Sequence, residues 1–195
     1  MRVAGIILAA GSSSRMGRTK QLLPYRNQTV IECVVDSALK SRLCTVVVVL
    51  GHQADKLDSL LSKRNVTLVH NYTYKNGQST SIQAGLMAVR DQVDAVLYLL
   101  GDQPLIVPET IDCIIAAYEK SCAPIVQPVF NGRRGNPVLF DRQTFADIDS
   151  LSGDTGCRVL FPKYIDRIDE VHLNDHSVLL DIDTEQDYQM LKKLE

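Results

Sequence analysis

The sequence has no apolar run long enough to cross a bilayer. Its first, residues 3–10, stops at Gly11-Ser12-Ser13-Ser14, far short of the ~20 residues a spanning helix needs, and too short for a secretory leader with its flanks. The five cysteines (Cys33, Cys44, Cys113, Cys122, Cys157) form no Cys-x-x-Cys pair and have an odd count, which argues against a disulfide framework. They are expected to be reduced and mostly buried, as in a cytoplasmic protein. There is little net charge: 21 Lys+Arg against 23 Asp+Glu leave −2, so the surface as a whole is not built for nucleic acid or a membrane. Gly-x-Ser-x-Gly is absent, which excludes a nucleophile elbow, and Gly-x-Gly-x-x-Gly is absent too. His172 and His176 are four apart, but no strong helix spans them and no Glu or Cys stands at ligand spacing, so a zinc site is not expected.

What is present is an ordinary globular composition, 45% hydrophobic and 23% charged over 195 residues, enough for one α/β domain. Val3–Ala9, Thr45–Leu50, Val66–His70 and Ala95–Leu100 are β-branched or Leu-rich runs bounded by turn residues, as buried parallel strands require. Between them, Val30, Ile31, Val34, Val35, Ala38 and Leu39 share one helical face, as do Ile111, Ile114, Ile115 and Tyr118, with Pro108 suited to that helix's first turn. After Pro124, strands are expected at Ile125–Val129, Gly135–Phe140 and Val178–Ile182. Helices are expected near Arg142–Asp149, Thr155–Phe161 and Thr184–Leu194. Repeated strand–helix units imply a parallel sheet covered on both faces, with ligands at the carboxyl ends of the strands.

The charge is unevenly spread. Residues 1–31 hold Arg2, Arg15, Arg18, Lys20 and Arg26 and no acid, which points to an anion held by the loop after the first strand. In that loop small residues let the backbone approach a phosphate, and Arg15 and Lys20 add charge. It is not a Walker loop, since five residues separate Gly11 from Gly17 and Arg18 follows. Gly101-Asp102-Gln103-Pro104 puts a carboxylate at a strand's carboxyl end, where it suits a divalent metal or a simple turn. Asp181-Ile182-Asp183 would put two carboxylates on one face of a strand; an acidic helix start is the other reading. The polar stretch Asn76–Gly85 enters a helix and could read a base or merely cap that helix. His52, at another strand end, either faces the crevice or lies on the surface.

In order, residues 8–20, Gly101–Pro104, Gly135-Asn136-Pro137-Val138-Leu139-Phe140 and Asp181–Thr184 resemble the MobA-like nucleotidyltransferases. More narrowly they resemble the molybdenum cofactor cytidylyltransferase branch, with its accessory proteins of molybdenum hydroxylases. The likeness covers essentially the whole chain. It implies a Rossmann-like three-layer α/β/α fold with a mixed, mostly parallel sheet of the nucleotide-diphospho-sugar transferase type. One domain would span residues 1–195, nucleotide-binding over about 1–107 and acceptor-binding over about 108–195. The implied reaction moves CMP from CTP to the phosphate of molybdopterin-type cofactor, releasing pyrophosphate.

By the same resemblance Arg15, Lys20 and Asp102 would be catalytic. Leu8, Ala9, Ala10 and Gly11 would hold base and ribose, and Gly11, Ser12, Ser13, Arg15 and Lys20 the triphosphate. Ser79, Ser81 and Gly85 would select the base, with Gly101 beside the nucleotide. Gln103, Gly135, Asn136 and Asp154 would face the acceptor. Asp102 and Asp183 would bind Mg²⁺, with Asp181 the other candidate. The implied partners are CTP, a phosphorylated pterin and a molybdenum hydroxylase apoenzyme. Guanylyltransferase cousins carry Gly at the position of Ala10, whose methyl group would crowd a purine, which favours CTP. Thr19 stands where relatives often have Pro, leaving the loop before Lys20 less rigid. The alternatives are another acceptor, such as a sugar- or methylerythritol-phosphate, and a non-catalytic cofactor carrier.

Overall fold

The computed structural model describes residues 1–13 and 16–194. The main elements are β1 (Val3–Ala9), β2 (Pro24–Tyr25), β3 (Gln28–Thr29), α1 (Val30–Lys40), β4 (Thr45–Leu50), α2 (Ala54–Leu61), β5 (Thr67–His70), α3 (Gln78–Met87) and β6 (Ala95–Leu100). They continue with α4 (Pro108–Ser121), β7 (Ile125–Phe130), β8 (Arg133–Arg134), β9 (Val138–Asp141), α5 (Phe145–Asp149), β10 (Ile168–His172) and α6 (Glu185–Lys192). Three of the four strands expected in the first half coincide with β1, β4 and β6, and the fourth with β5 but for one residue. The continuous apolar runs of β1, β4 and β6 are buried on both faces, as parallel strands require, whereas β5 at the sheet edge is only partly buried.

The sheet order is β10-β7-β9-β6-β1-β4-β5. β1 pairs in parallel with β4 (Ile6 opposite Val47) and with β6 (Ile6 opposite Tyr98). The chain winds outward to β5, then returns across β1 to β6, which makes the end of β1 a topological switch point with a crevice above it. One face is covered by α1, α2 and α4 over a core that includes Ile7, Val48 and Leu97. The other carries α3, α5 and the Cys157–Arg167 segment over Ile6, Val49 and Tyr98. This is the expected three-layer arrangement.

β9 runs antiparallel between β6 and β7. The cause is local: Asn131 and Gly132 both have positive φ (49° and 74°), a two-residue reversal that folds β8 back along β7. The returning arm is interrupted at Gly135–Pro137 and resumes as β9.

The second half departs from expectation in five places, the first being the expected strand Gly135–Phe140, of which only Val138–Phe140 lies in β9. Val178–Ile182 is not a strand; residues His176–Leu179 form a 3₁₀ turn. Asp175 sets that turn by accepting from the Ser177 backbone N–H (2.9 Å) and hydroxyl (2.7 Å), which outweighs the apolar run that follows. The helix expected at Thr155–Phe161 is replaced by a chain of 3₁₀ turns that begins only at Cys157 and runs to Arg167, where Pro162 cannot donate to a regular helix. Arg142–Asp149 divides into a 3₁₀ turn and the short α5. β10 has no counterpart among the expected strands, because Ile168-Asp169-Glu170-Val171-His172 is a polar, half-buried edge strand with no apolar run to announce it. The cysteines also depart: Cys33 and Cys157 are buried, but Cys44, Cys113 and Cys122 are exposed, and all five are free. Among the described residues no helix is long and apolar enough to cross a membrane.

Candidate active site

The crevice above the switch point is a cleft of about 930 Å³. Its floor is the end of β1, where Leu8, Ala10, Gly11 and Ser12 line it, and the end of β6, which contributes Leu100 and Asp102. The turn that leaves β1 is held from within. Ser13, at φ 51°, accepts through its Oγ from the Lys20 N–H (3.2 Å), which closes the loop and starts the 3₁₀ turn Lys20–Leu22. Gly17 has φ 65°, a conformation that suits a residue without Cβ. Thr19 is buried, and its Oγ1 has no hydrogen-bond partner among the described residues.

That closure delivers Lys20 to two carboxylates. Its Nζ forms a salt bridge with Asp102 Oδ2 and lies 3.0 Å from Asp183 Oδ1. Burial alone would lower the Lys20 pKa, but the neighbouring carboxylates overcome it and hold it above its ordinary value. Asp102 is buried, and desolvation pushes its carboxyl up more than the Lys20 ammonium draws it down. Asp183 is brought here from the far end of the chain. The Ile182 N–H donates to Asp102 O (3.3 Å), and the buried Ile182 side chain packs with Leu23, Tyr25, Val30, Tyr188 and Leu191. Asp181 is exposed and lines a different, mostly apolar groove, so the two aspartates do not share a face. Asp183, not Asp181, reaches Lys20.

The opposite wall comes from the segment after β5 and the start of α3: Tyr74, Lys75, Asn76, Gly77, Gln78 and Ser81. Asn71 organises it. This buried amide donates to Thr80 Oγ1 (2.8 Å) and Ser81 Oγ (2.9 Å) and accepts from the Thr73 N–H (3.0 Å). His52 lines the same cleft, its N–H donating to Ala10 O (3.1 Å). Gly77, at φ 115°, touches the Gly153 backbone; a Cβ there would stand 2.1 Å from the Gly153 carbonyl carbon. The Asp154 carboxylate accepts from the Gln78 N–H (3.3 Å), so the 151–156 turn joins this wall.

A second cleft of about 450 Å³ adjoins the first, sharing Leu8, Gln78, Leu100 and Asp154. Ile82, Tyr98, Val138 and Phe140 make its apolar surface, and Asn136, Thr155 and Arg158 its polar one.

The structure thus gathers Leu8, Ala10, Gly11, Ser12, Lys20, Ser81, Asp102 and Asp154 around the first cleft and Asn136 around the second. Ser13 and Asp183 act on Lys20 as described, and six further expected site residues lie behind these walls. Ala9 is in the core. Ser79 donates through its hydroxyl to Gly153 O (2.8 Å). Gly85 allows α3 to approach the sheet, since a Cβ there would meet Ile6 Cγ2 at 2.4 Å. Gly101 donates from its N–H to Leu8 O (3.0 Å), Gln103 is buried in the turn after β6, and Gly135 abuts Val178. Arg15 lies outside the described residues. The other N-terminal bases do not converge on the loop: Arg18 pairs with Glu185 (2.5 Å) over the Tyr188 ring, and Arg26 lies over Tyr25. Arg2 precedes β1 at the opposite end of the strand. Tyr74, Lys75 and Arg158 escaped sequence reasoning, because no spacing within the chain places them beside β1.

A family model described as the MobA-like NTP transferase domain matches residues 5–168. The nicotine blue oxidoreductase of Paenarthrobacter nicotinovorans is 32% identical, with 97% of this chain and 96% of that protein covered. The molybdenum cofactor cytidylyltransferase of Escherichia coli is 29% identical, with 94% and 92% covered. A Mycobacterium tuberculosis protein solved in complex with manganese superposes with a TM-score of 0.86 at 27% identity, with 99% of each chain covered. The architecture is that of the nucleotide-diphospho-sugar transferases.

Proposed function

The chain belongs to the MobA-like NTP transferase family, a family of nucleotidyltransferases, and on that premise we propose that it transfers CMP from CTP to the phosphate of a molybdopterin-type cofactor, releasing pyrophosphate. The observation that carries this reading is Lys20, held between Asp102 and Asp183 at the edge of the cleft above the β1–β6 switch point. Triphosphate would lie along Gly11, Ser12 and Lys20, with Arg15 added from the sequence, and the base against Ala10 and the Asn76–Ser81 wall. Ala10 supports CTP over a purine nucleotide. Its Cβ faces Gly51 so closely that a Cβ on Gly51 would lie 2.8 Å away, so this wall has no room to retreat.

Two carboxylates are hard oxygen donors of the kind that hold Mg²⁺ when substrate phosphates complete its shell, and Asp102 and Asp183 fit that role. Bound there, the ion would neutralise phosphate charge. The acceptor phosphate is already anionic at neutral pH and needs no general base. One of its oxygens attacks the α-phosphorus as the bond to the bridging α–β oxygen breaks, and the electron pair leaves on pyrophosphate. Lys20 offsets charge on the departing group, and the clefts hold donor and acceptor in line.

The test is pyrophosphate release measured with each NTP, with and without molybdenum cofactor. CTP with the cofactor should give turnover. Asp102→Ala should lower kcat by at least about 10²-fold, with an unchanged circular dichroism spectrum. Near-wild-type turnover in that variant at saturating Mg²⁺ would remove Asp102 from the mechanism. Nucleotide binding without pyrophosphate release from any acceptor would favour a carrier. Consumption of a reduced nicotinamide cofactor would favour the activity printed for the Paenarthrobacter relative.

A further inference from the structure

The second cleft has an apolar surface and one cation. Arg158 is the only Lys or Arg among the described residues that line it. Its guanidinium donates to Gly135 O (3.0 Å) and Asn136 Oδ1 (3.2 Å), both neutral acceptors. Among the described residues no carboxylate stands within ion-pair distance of it, whereas Arg18, Arg42, Arg64, Arg90 and Arg134 all have acidic partners. Desolvation, followed by the nearby charge of Arg134, pulls the Arg158 pKa below its ordinary value. A partly desolvated guanidinium with unused fork donors, beside a second cation and facing a cavity, is a site for a phosphate.

The placement ties this cation to the reaction. The cleft opens into the first at Leu8, Gln78, Leu100 and Asp154, so a molecule seated in it reaches the proposed triphosphate site without leaving the protein surface. Tyr98 and Phe140 stand edge to face at 5.9 Å in its apolar lining, a surface suited to the flat face of a ring. Asn136 is held by Arg158 and by its own N–H, which donates to Val178 O (2.9 Å), so the guanidinium and the amide form one preset pair of donors.

We propose that Arg158, with Asn136, binds the phosphate of the acceptor in the second cleft and so positions it for attack. This rests on the nucleotidyltransferase reading but not on the identity of the acceptor. The test uses inorganic phosphate as the probe, with the first cleft filled by Mg²⁺ and a CTP analogue whose α–β bridge is methylene. In the wild-type protein, phosphate should shift the amide resonances of Asn136 and Val159. Arg158→Gln should weaken that binding at least about tenfold, as loss of a charge-assisted pair implies. The affinity of Arg158→Gln for the CTP analogue should stay within about twofold, and Arg158→Lys, which keeps the charge without the fork, should recover only part of the phosphate affinity. In turnover, Arg158→Gln should raise the KM of the acceptor and leave that of CTP unchanged. Equal phosphate binding by wild type and Arg158→Gln, or no shift at Asn136 and Val159 in the wild type, would overturn the proposal. Phosphate binding there without turnover of a phosphorylated pterin would support the site and refute the pterin acceptor instead.

Discussion

Lys20 and Asp102 illustrate what one side chain contributes here. Removing Lys20 leaves two carboxylates facing each other, and removing Asp102 leaves Lys20 with Asp183 alone; either loss at a buried site costs more than the loss of a solvent-exposed pair would. Asp102 was legible because a carboxylate at the carboxyl end of a strand is a local pattern. That Lys20 would meet it was not, since the lysine's direction depends on the closure by Ser13. The cysteines give a second contrast. Composition pointed to mostly buried thiols, but α4 is amphipathic and leaves Cys113 on its outer face and Cys122 just beyond its end. Burial pushes the Cys157 pKa up to about 12, and it raises that of Cys33 as well. Thiol titration of the native protein near neutral pH should therefore modify Cys44, Cys113 and Cys122 rapidly, and Cys33 and Cys157 only after denaturant is added. Rapid labelling of Cys157 in the folded protein would contradict its burial in the wall of the second cleft.

The terminal helix shows how an element carries a functional group that it does not itself contain. α6 begins with a capping box: the Thr184 Oγ1 accepts from the Asp187 N–H (3.2 Å), and the Asp187 carboxylate accepts from the Thr184 N–H (2.7 Å). The same carboxylate accepts from the Asp183 N–H (3.1 Å), so the cap also orients the residue that meets Lys20. Hydrogen bonds from Thr184, chief among its interactions, hold the Asp187 pKa below 3.8. A depressed carboxyl pKa stabilises the folded state above the unfolded value, and that stability is lost as pH falls through the folded one. Asp187→Ala should cost about 1 kcal/mol at neutral pH in urea titrations, with the gap to wild type closing on acidification below pH 3.8. A gap independent of pH would mean that packing, not the carboxylate, holds this helix start. The capping pattern could be read from Thr184 and Asp187. The antiparallel β9 also had a readable signal in Asn131-Gly132, but β10 had none, because an edge strand buries too little to need an apolar run.

Across the whole molecule, the cleft depends on the chain returning to its beginning. α6 packs Tyr188 and Leu191 against Leu23, Tyr25 and Val30, and the Tyr188 hydroxyl donates to Pro24 O (2.7 Å). Tyr188→Ala should cost about 3 kcal/mol, by analogy with other large-to-small changes in a core. Its turnover per folded molecule should fall as well, because Ile182 and Asp183 lose their support. A variant with a lowered urea midpoint but full kcat would show that Asp183 is positioned without α6. The net charge of −2 likewise conceals its arrangement. The basic N-terminal stretch is divided among separate partners, and Lys20 alone of its described bases reaches the cleft. The strand–helix alternation, the small-residue turn after β1 and the aspartate after β6 follow from the sequence, because each expresses an interaction among neighbours along the chain. The meeting of Lys20 with Asp183, 163 residues away, and of Gln78 with Asp154, 76 away, was settled by three-dimensional packing. So was the placing of Arg158 beside Asn136. Such pairs leave no periodicity behind, since the sheet order and the packing of α6 on the ribbon formed by β2 and β3, not sequence spacing, bring them together.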